Sequence, residues 1–242
     1  RHMDLRGIVN GIDYDIWNPE TDAKIPDHYS IKDFKKGKAA NKRALQEALG
    51  LTVDENKMII GLISRLTDQK GLDLIAEVME QIVDDNTQFV VIGTGDERYE
   101  NMFRHYAWKY PDKVSANIYY ADEMSHKLYA AADAFLMPSA FEPCGLTQLI
   151  SLRYGTLPIV RETGGLKDTV EPYNEYEGKG TGFSFTNYNP WDMMEVINYA
   201  KYTYFVHRKE WDEMVERGMK KDFSWDASRY KYEGIYSWLI GW

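Results

Sequence analysis

The sequence predicts an α/β fold, a Rossmann-like parallel sheet with helices on both faces. Three observations carry this. Short apolar runs, Met58 to Ser64, Gln88 to Ile92, Ala134 to Met137 and Leu157 to Val160, read as buried strands. Between them lie helical patterns, as in Gly71 to Asp84, where Leu72, Ile75, Val78, Met79 and Ile82 share a face. Glycine-bearing turns such as Gly93-Thr94-Gly95-Asp96 follow the strands. Repeated βα units of this length make a parallel sheet that needs helices on both sides.

In chain order, Arg1-His2-Met3 reads as a cloning remnant. Ile8 to Asp13 resembles a strand ending in an Asn-Gly turn, and loop follows as far as Ser30. Ser30 begins a polar helix that Gly50 stops; its cations Lys35, Lys36, Lys38, Lys42 and Arg43 read as a solvated face. After the first two strands, Arg98 to Tyr110 is a helix with Pro111 beyond it. Val114 to Tyr120 is a third strand, Ser125 to Ala132 a short helix, and Ala134 to Met137 the fourth strand. A helix through Leu149, Leu152 and Arg153 ends at Gly155, where glycine supplies a left-handed stop. Leu157 to Val160 is the fifth strand and Gly182 to Phe185 a sixth. Asn189 caps a helix with Pro190 at its first position, and two or three aromatic-rich helices run to Trp242.

Composition bounds the function. At 242 residues and a net charge of -9, the chain is a poor match for nucleic acid or an anionic membrane surface. Cys144 is the only cysteine, so no intrachain disulfide forms, and a reducing cytoplasm suits the chain. No apolar run reaches the length of a membrane span. The five histidines show no metal-ligand spacing, and no Walker loop or G-x-S-x-G elbow occurs. Gly93-x-Gly95 fails as a dinucleotide fingerprint, because Arg98 occupies the third glycine position, and reads as an ordinary turn.

The chemistry gathers at two strand-to-helix turns. Ligands of such sheets bind outside the carboxyl ends of the strands. The turn Pro138 to Gln148 follows the fourth strand. Its Gly145 admits close approach to the backbone, and Leu146, Thr147 and Gln148 would offer N–H groups to an anion. Glu142 would repel an anion, so it suits a hydroxyl of a neutral sugar; the alternative is a helix-capping or solvated loop acid. Cys144 reads as a small packed thiol beside the site rather than half of a Cys–His nucleophile. The turn Ser64 to Gly71 places Arg65 and Lys70 on the same rim, where two cations would neutralise a diphosphate. The alternative is a solvated loop in which Lys70 pairs with Asp73.

Arg65…Lys70 and Phe141-Glu142-Pro143-Cys144-Gly145-Leu146-Thr147-Gln148, together with Trp17-Asn18-Pro19-Glu20-Thr21-Asp22, Tyr154-Gly155-Thr156-Leu157-Pro158, Thr163-Gly164-Gly165-Leu166 and Asp222-Phe223-Ser224-Trp225, carry a resemblance to bacterial glycogen synthases and plant starch synthases. It covers nearly the whole chain. It implies the C-terminal domain of a GT-B glycosyltransferase that moves glucose from ADP-glucose to the 4-hydroxyl end of an α-1,4-glucan with retention of configuration. In that family's terms Glu142, Arg65 and Lys70 are catalytic, and Tyr120, Cys144, Gly145, Leu146 and Thr147 bind the donor, with Tyr120 near the adenine. Neither metal nor organic cofactor is implied. Residues 1–20 become remnant and interdomain linker, and 21–242 the nucleotide-sugar-binding domain. The second glutamate of the wider retaining group is replaced by Ile150, as in glycogen synthases. The family's N-terminal acceptor domain, with its Lys-x-Gly-Gly-Leu loop, is absent, so the fragment alone is expected to be inactive. A non-catalytic nucleotide-sugar-binding module and another retaining GT-B enzyme are the alternatives.

Overall fold

The computed structural model describes residues 5–241. Six strands form one parallel sheet: β1 (Met58–Ile63), β2 (Thr87–Ile92), β3 (Val114–Asn117), β4 (Ala134–Met137), β5 (Leu157–Arg161) and β6 (Phe183–Phe185). Their spatial order is β3-β2-β1-β4-β5-β6. Strands β1, β2, β4 and β5 are buried almost throughout, as expected of a sheet covered on both faces. The cover comes from α1 (Phe34–Leu49), α2 (Leu72–Ile82), α3 (Glu97–Lys109), α4 (Asp122–Ala131), α5 (Thr147–Arg153), α6 (Gly164–Thr169), α7 (Pro190–Val206) and α8 (Arg208–Lys220). A last helix, α9 (Trp225–Ile240), buries only Ser228.

The chain builds outward from β1 through β2 to β3, then crosses back to lay β4 on the other side of β1. That reversal opens a crevice between the carboxyl ends of β1 and β4, the place where such sheets bind ligands. Both chemistry-bearing turns leave the sheet there. The predicted punctuation holds: Gly50 and Gly155 have φ of 68° and 67°, and the Asn189 side chain accepts from the N–H groups of Trp191 and Asp192 ahead of α7.

Four expectations need correction. Residues 8–13 do not form a strand; a single bridge joins Ile12 to Ser224. Gly11 lies so close to Trp225 that a β-carbon would sit 2.5 Å from its backbone nitrogen. The segment is therefore a strap across the start of α9. Strand β3 stops at Asn117, because its neighbour ends at Ile92 and Gly93 N–H already donates to the Asn117 carbonyl. The lysine face of α1 is not wholly solvated: Lys38 and Lys42 are buried, each with its ammonium among backbone carbonyls and hydroxyls. Trp17, which the sequence groups with Trp225, Tyr230, Tyr232, Tyr236 and Trp238 as an expected exposed aromatic patch, instead stacks on His126 at 4.0 Å between ring centres, while the other five are exposed. Arg1 to Asp4 and Trp242 lie outside the described residues.

Candidate active site

The β4–α5 loop is held in place by contacts from four directions. The Ala140 N–H donates to the Gln69 carbonyl, and the Gln69 amide returns a bond to the Phe141 carbonyl. Arg161, at the end of β5, donates to the Ala140 carbonyl at 2.7 Å. The Gly165 N–H donates to the Glu142 carbonyl at 3.0 Å. Gln148, fully buried, donates its amide to the carbonyls of Cys144 and Gly145 and to the Thr169 hydroxyl.

Glycine is required where α6 meets this loop. A β-carbon on Gly164 would fall 2.1 Å from the Glu142 carbonyl oxygen, and one on Gly165 would fall 1.9 Å from that of Cys144. The Gly164-Gly165 pair thus brings α6 against the backbone that presents Glu142. Gly93 and Gly95 do the same for the other turn. Their β-carbons would meet the backbones of Ser64 and Leu66, so this pair packs the β2–α3 turn under the loop that carries Arg65.

On that scaffold Lys70 Nζ and Glu142 Oε2 meet at 2.5 Å, with side chains only 19% and 16% exposed. The Ser139 hydroxyl also reaches Glu142, at 3.3 Å. Lys70 therefore does not pair with Asp73, which instead accepts the Tyr188 hydroxyl. Around this ion pair is a cavity of about 70 Å³, lined by Ser64, Pro138, Gly145, Leu146, Thr147 and Gln148 among others. That is room for about two water molecules. A larger ligand has to lie across the open rim. The N–H groups of Gly145, Leu146 and Thr147 find no acceptor among the described residues, which leaves three donors that a ligand could satisfy. Gln148 Oε1 is also buried without a partner.

The remaining predicted residues are placed differently. Arg65 is exposed at the rim next to Ser64 and does not line the cavity. Cys144 lies outside the lining too, its thiol 3.5 Å from the Gly145 carbonyl. Tyr120 is 90% exposed, beyond the end of β3, and is not brought to the Lys70–Glu142 pair. Arg161, Gln69, Gly164 and Gly165 were not assigned to the site by sequence reasoning. The signal for Arg161 was positional, since it closes β5 at the carboxyl edge; for the glycines it was the doublet directly after that strand.

Farther along the rim, Asp68 is held below the usual carboxylate range by the Tyr99 hydroxyl first and then by Arg98. The Tyr188 phenol is pushed up by burial and by Asp73. Arg161 lies over the Tyr188 ring at 5.4 Å. These contacts make the carboxyl edge a polar surface.

A family model described as "Glycosyl transferases group 1" matches residues 47–217. The glycogen synthase of Lachnospira eligens is 68% identical over 235 residues, covering 97% of this chain and 49% of the relative. That of Lachnoclostridium phytofermentans is 60% identical over the same shares. The chain spans about half the length of these curated relatives. The catalytic domain of starch synthase IV from Arabidopsis thaliana, solved with ADP and acarbose, superposes with a TM-score of 0.88 at 35% identity, over 96% of this chain and 48% of that one. An Anabaena protein solved with UDP and glucose gives 0.70 at 18% identity, over 98% of this chain and 58% of that one, a likeness of fold alone.

Proposed function

The chain belongs to the group 1 glycosyl transferases, as a domain of GT-B fold, and on that premise we propose that it is the donor-binding half of an α-1,4-glucan synthase. The donor is ADP-glucose, the acceptor the 4-hydroxyl end of the glucan, and the transfer retains configuration. The observation that carries this reading is the Lys70–Glu142 contact, set beside three unpartnered N–H groups at the β1/β4 crevice. The relatives named glycogen synthase and the ADP-bound starch synthase support the choice of nucleotide and glucan.

The residues divide the work by charge. Lys70 swings from Glu142 to the donor diphosphate, and Arg65 closes on it from the rim with its planar fork. The amides of Gly145 to Thr147 take the remaining phosphate oxygens. Charge grows on the diphosphate as the glycosidic bond breaks, and these fixed donors stabilise it there. Glu142, freed from Lys70, accepts a hydrogen bond from the donor sugar. Cys144 and Tyr120 remain in this reading as outer contacts, Tyr120 against the base.

The acceptor wall belongs to the half of the relatives that this chain does not span. The exposed aromatic face of α9, with the strap of residues 9–12 along its start, is the surface for that half. Titrating the chain with ADP by calorimetry tests the donor site. Charge-assisted contacts to phosphate contribute about 1.5–3 kcal/mol, so Lys70→Ala is expected to weaken ADP about tenfold or more. Equal affinity in the two proteins sinks the assignment.

A further inference from the structure

The opposite edge of the sheet holds a second, larger cavity, of about 370 Å³. It lies between α1, the segment before β4, α7 and α8. Asp133, immediately before β4, sits in its wall, so the cavity opens at the amino ends of the strands, away from Glu142 and Lys70. Four cations line it, Lys35, Lys38, Lys42 and Arg208, against the carboxylates Asp133, Asp212 and Glu55.

The cations are of two kinds. Lys38 and Lys42 are already fully engaged. Lys38 donates to the carbonyls of Ala130 and Tyr154 and to the Thr156 hydroxyl. Lys42 pairs with Asp133 at 2.7 Å and donates to the Lys57 carbonyl and the Tyr204 hydroxyl. They form the floor. Lys35 and Arg208 are different: both lean on the single carboxylate of Asp212, at 2.6 and 3.1 Å. Lys35 is 64% exposed, and the Arg208 guanidinium carbon lies 4.4 Å from the centre of the Tyr204 ring. Two cations share one carboxylate, and most guanidinium N–H groups of Arg208 remain available. The lining also includes the aromatic residues Phe34, Tyr204, Phe205 and Trp211.

We propose that this cavity is a binding site for a phosphomonoester, its phosphate held by Arg208 and Lys35 and its organic part resting on the exposed ring of Phe205. A phosphate completes the Arg208 fork in the geometry that guanidinium favours. The site is separate from the donor crevice and does not depend on the glucosyltransferase reading.

The test is calorimetric titration of the chain with inorganic phosphate and with phenyl phosphate. The parallel proteins are Arg208→Gln, Lys35→Gln and Lys70→Ala, each first shown by thermal unfolding to be folded. Saturable binding is expected, tighter for phenyl phosphate because of the aromatic lining. Each of Arg208→Gln and Lys35→Gln should weaken it about tenfold, and Lys70→Ala should leave it unchanged. Lys35 is on the surface, so its variant keeps the test valid if Arg208→Gln fails to fold. No saturable binding, or binding that survives loss of either cation, overturns the proposal. So does binding lost with Lys70→Ala, which would place phosphate in the donor crevice instead.

Discussion

Replacing Glu142 by Gln should tighten ADP binding while slowing transfer. In the ligand-free protein Lys70 is held by Glu142 at 2.5 Å, in a contact only partly reached by solvent. Before Lys70 can serve a diphosphate, that contact has to open. The bare Coulomb term at this separation is several kcal/mol at an effective dielectric near 20, but desolvation and side-chain entropy return most of it, leaving about 1 kcal/mol for such a pair. The glutamine still accepts a hydrogen bond from Lys70 but no longer holds it by charge. ADP should therefore bind about fivefold tighter, since 1.4 kcal/mol is tenfold. Removing a negative charge near a phosphate also helps by itself, so the measurement has to be a cycle of four proteins: the parent chain, Glu142→Gln, Lys70→Ala and both together. Calorimetry reads ADP affinity in each. The gain from Glu142→Gln should shrink sharply once Lys70 is gone. In the full-length enzyme the same change should lower turnover at least a hundredfold, about 2.7 kcal/mol of barrier. Weaker ADP binding in Glu142→Gln would show that the carboxylate itself contacts the nucleotide. An identical gain with and without Lys70 would show that the ion pair is not what ADP has to open.

Three further outcomes follow from the geometry. Gly165→Ala puts a β-carbon 1.9 Å from the Cys144 carbonyl oxygen; displacing that backbone should cost about 2 kcal/mol, read as a fall in Tm of about 4–8 °C, with ADP affinity reduced because the Glu142 loop moves. Burial pulls Lys38 down to about 7, whereas an unfolded chain keeps its ammonium to about pH 10.4. Below pH 7 both states carry the proton, and from there upward only the unfolded state does. Stability relative to Lys38→Met should thus rise with pH, by up to about 1.4 kcal/mol per unit, in urea melts at pH 6 and 9; a flat difference would refute it. Finally, the chain alone should unfold cooperatively yet fail to elongate glycogen with labelled ADP-glucose, beside an active full-length parent. Orienting the acceptor against the donor needs a second wall, and elongation by the fragment would overturn that division.

The sheet was legible because its signals are local. A buried parallel strand is a run of apolar residues, and Met58–Ile63 and Ala134–Met137 announce themselves without knowledge of their neighbours. The end of β3 was not, since what stops it is the length of β2 and the N–H of Gly93, a fact about a partner. The same reason hid the lysines of α1. Lys38 and Lys42 look like any solvated stripe in sequence, and only the return of the chain at Ala130, Asp133 and Tyr154 encloses them. At the candidate site, Lys70 and Glu142 were separately visible as turn residues on one rim. Their contact spans 72 positions, and no periodicity encodes a pairing at that range. The competing local pair, Lys70 with Asp73, was the one sequence spacing favoured, and Tyr188 removed it by taking Asp73.

That last displacement shows how the site is tuned. Had Asp73 kept Lys70, the ammonium would have been turned toward α2, away from the crevice, and Glu142 would have been left half-buried without a counter-charge. With Tyr188 holding Asp73, and Arg161 lying over the Tyr188 ring while donating to the Ala140 carbonyl, one chain of contacts from β5 both fixes the Glu142 loop and leaves Lys70 to it. The ion pair then holds two groups that a donor would need apart, one for phosphate and one for sugar, next to each other while the crevice is empty. On the proposed reading, a diphosphate entering between the Gly145–Thr147 amides and Lys70 would replace one anion by another, so the charge on Lys70 would never be left uncompensated. The carboxylate it releases already stands on the loop that would face the sugar.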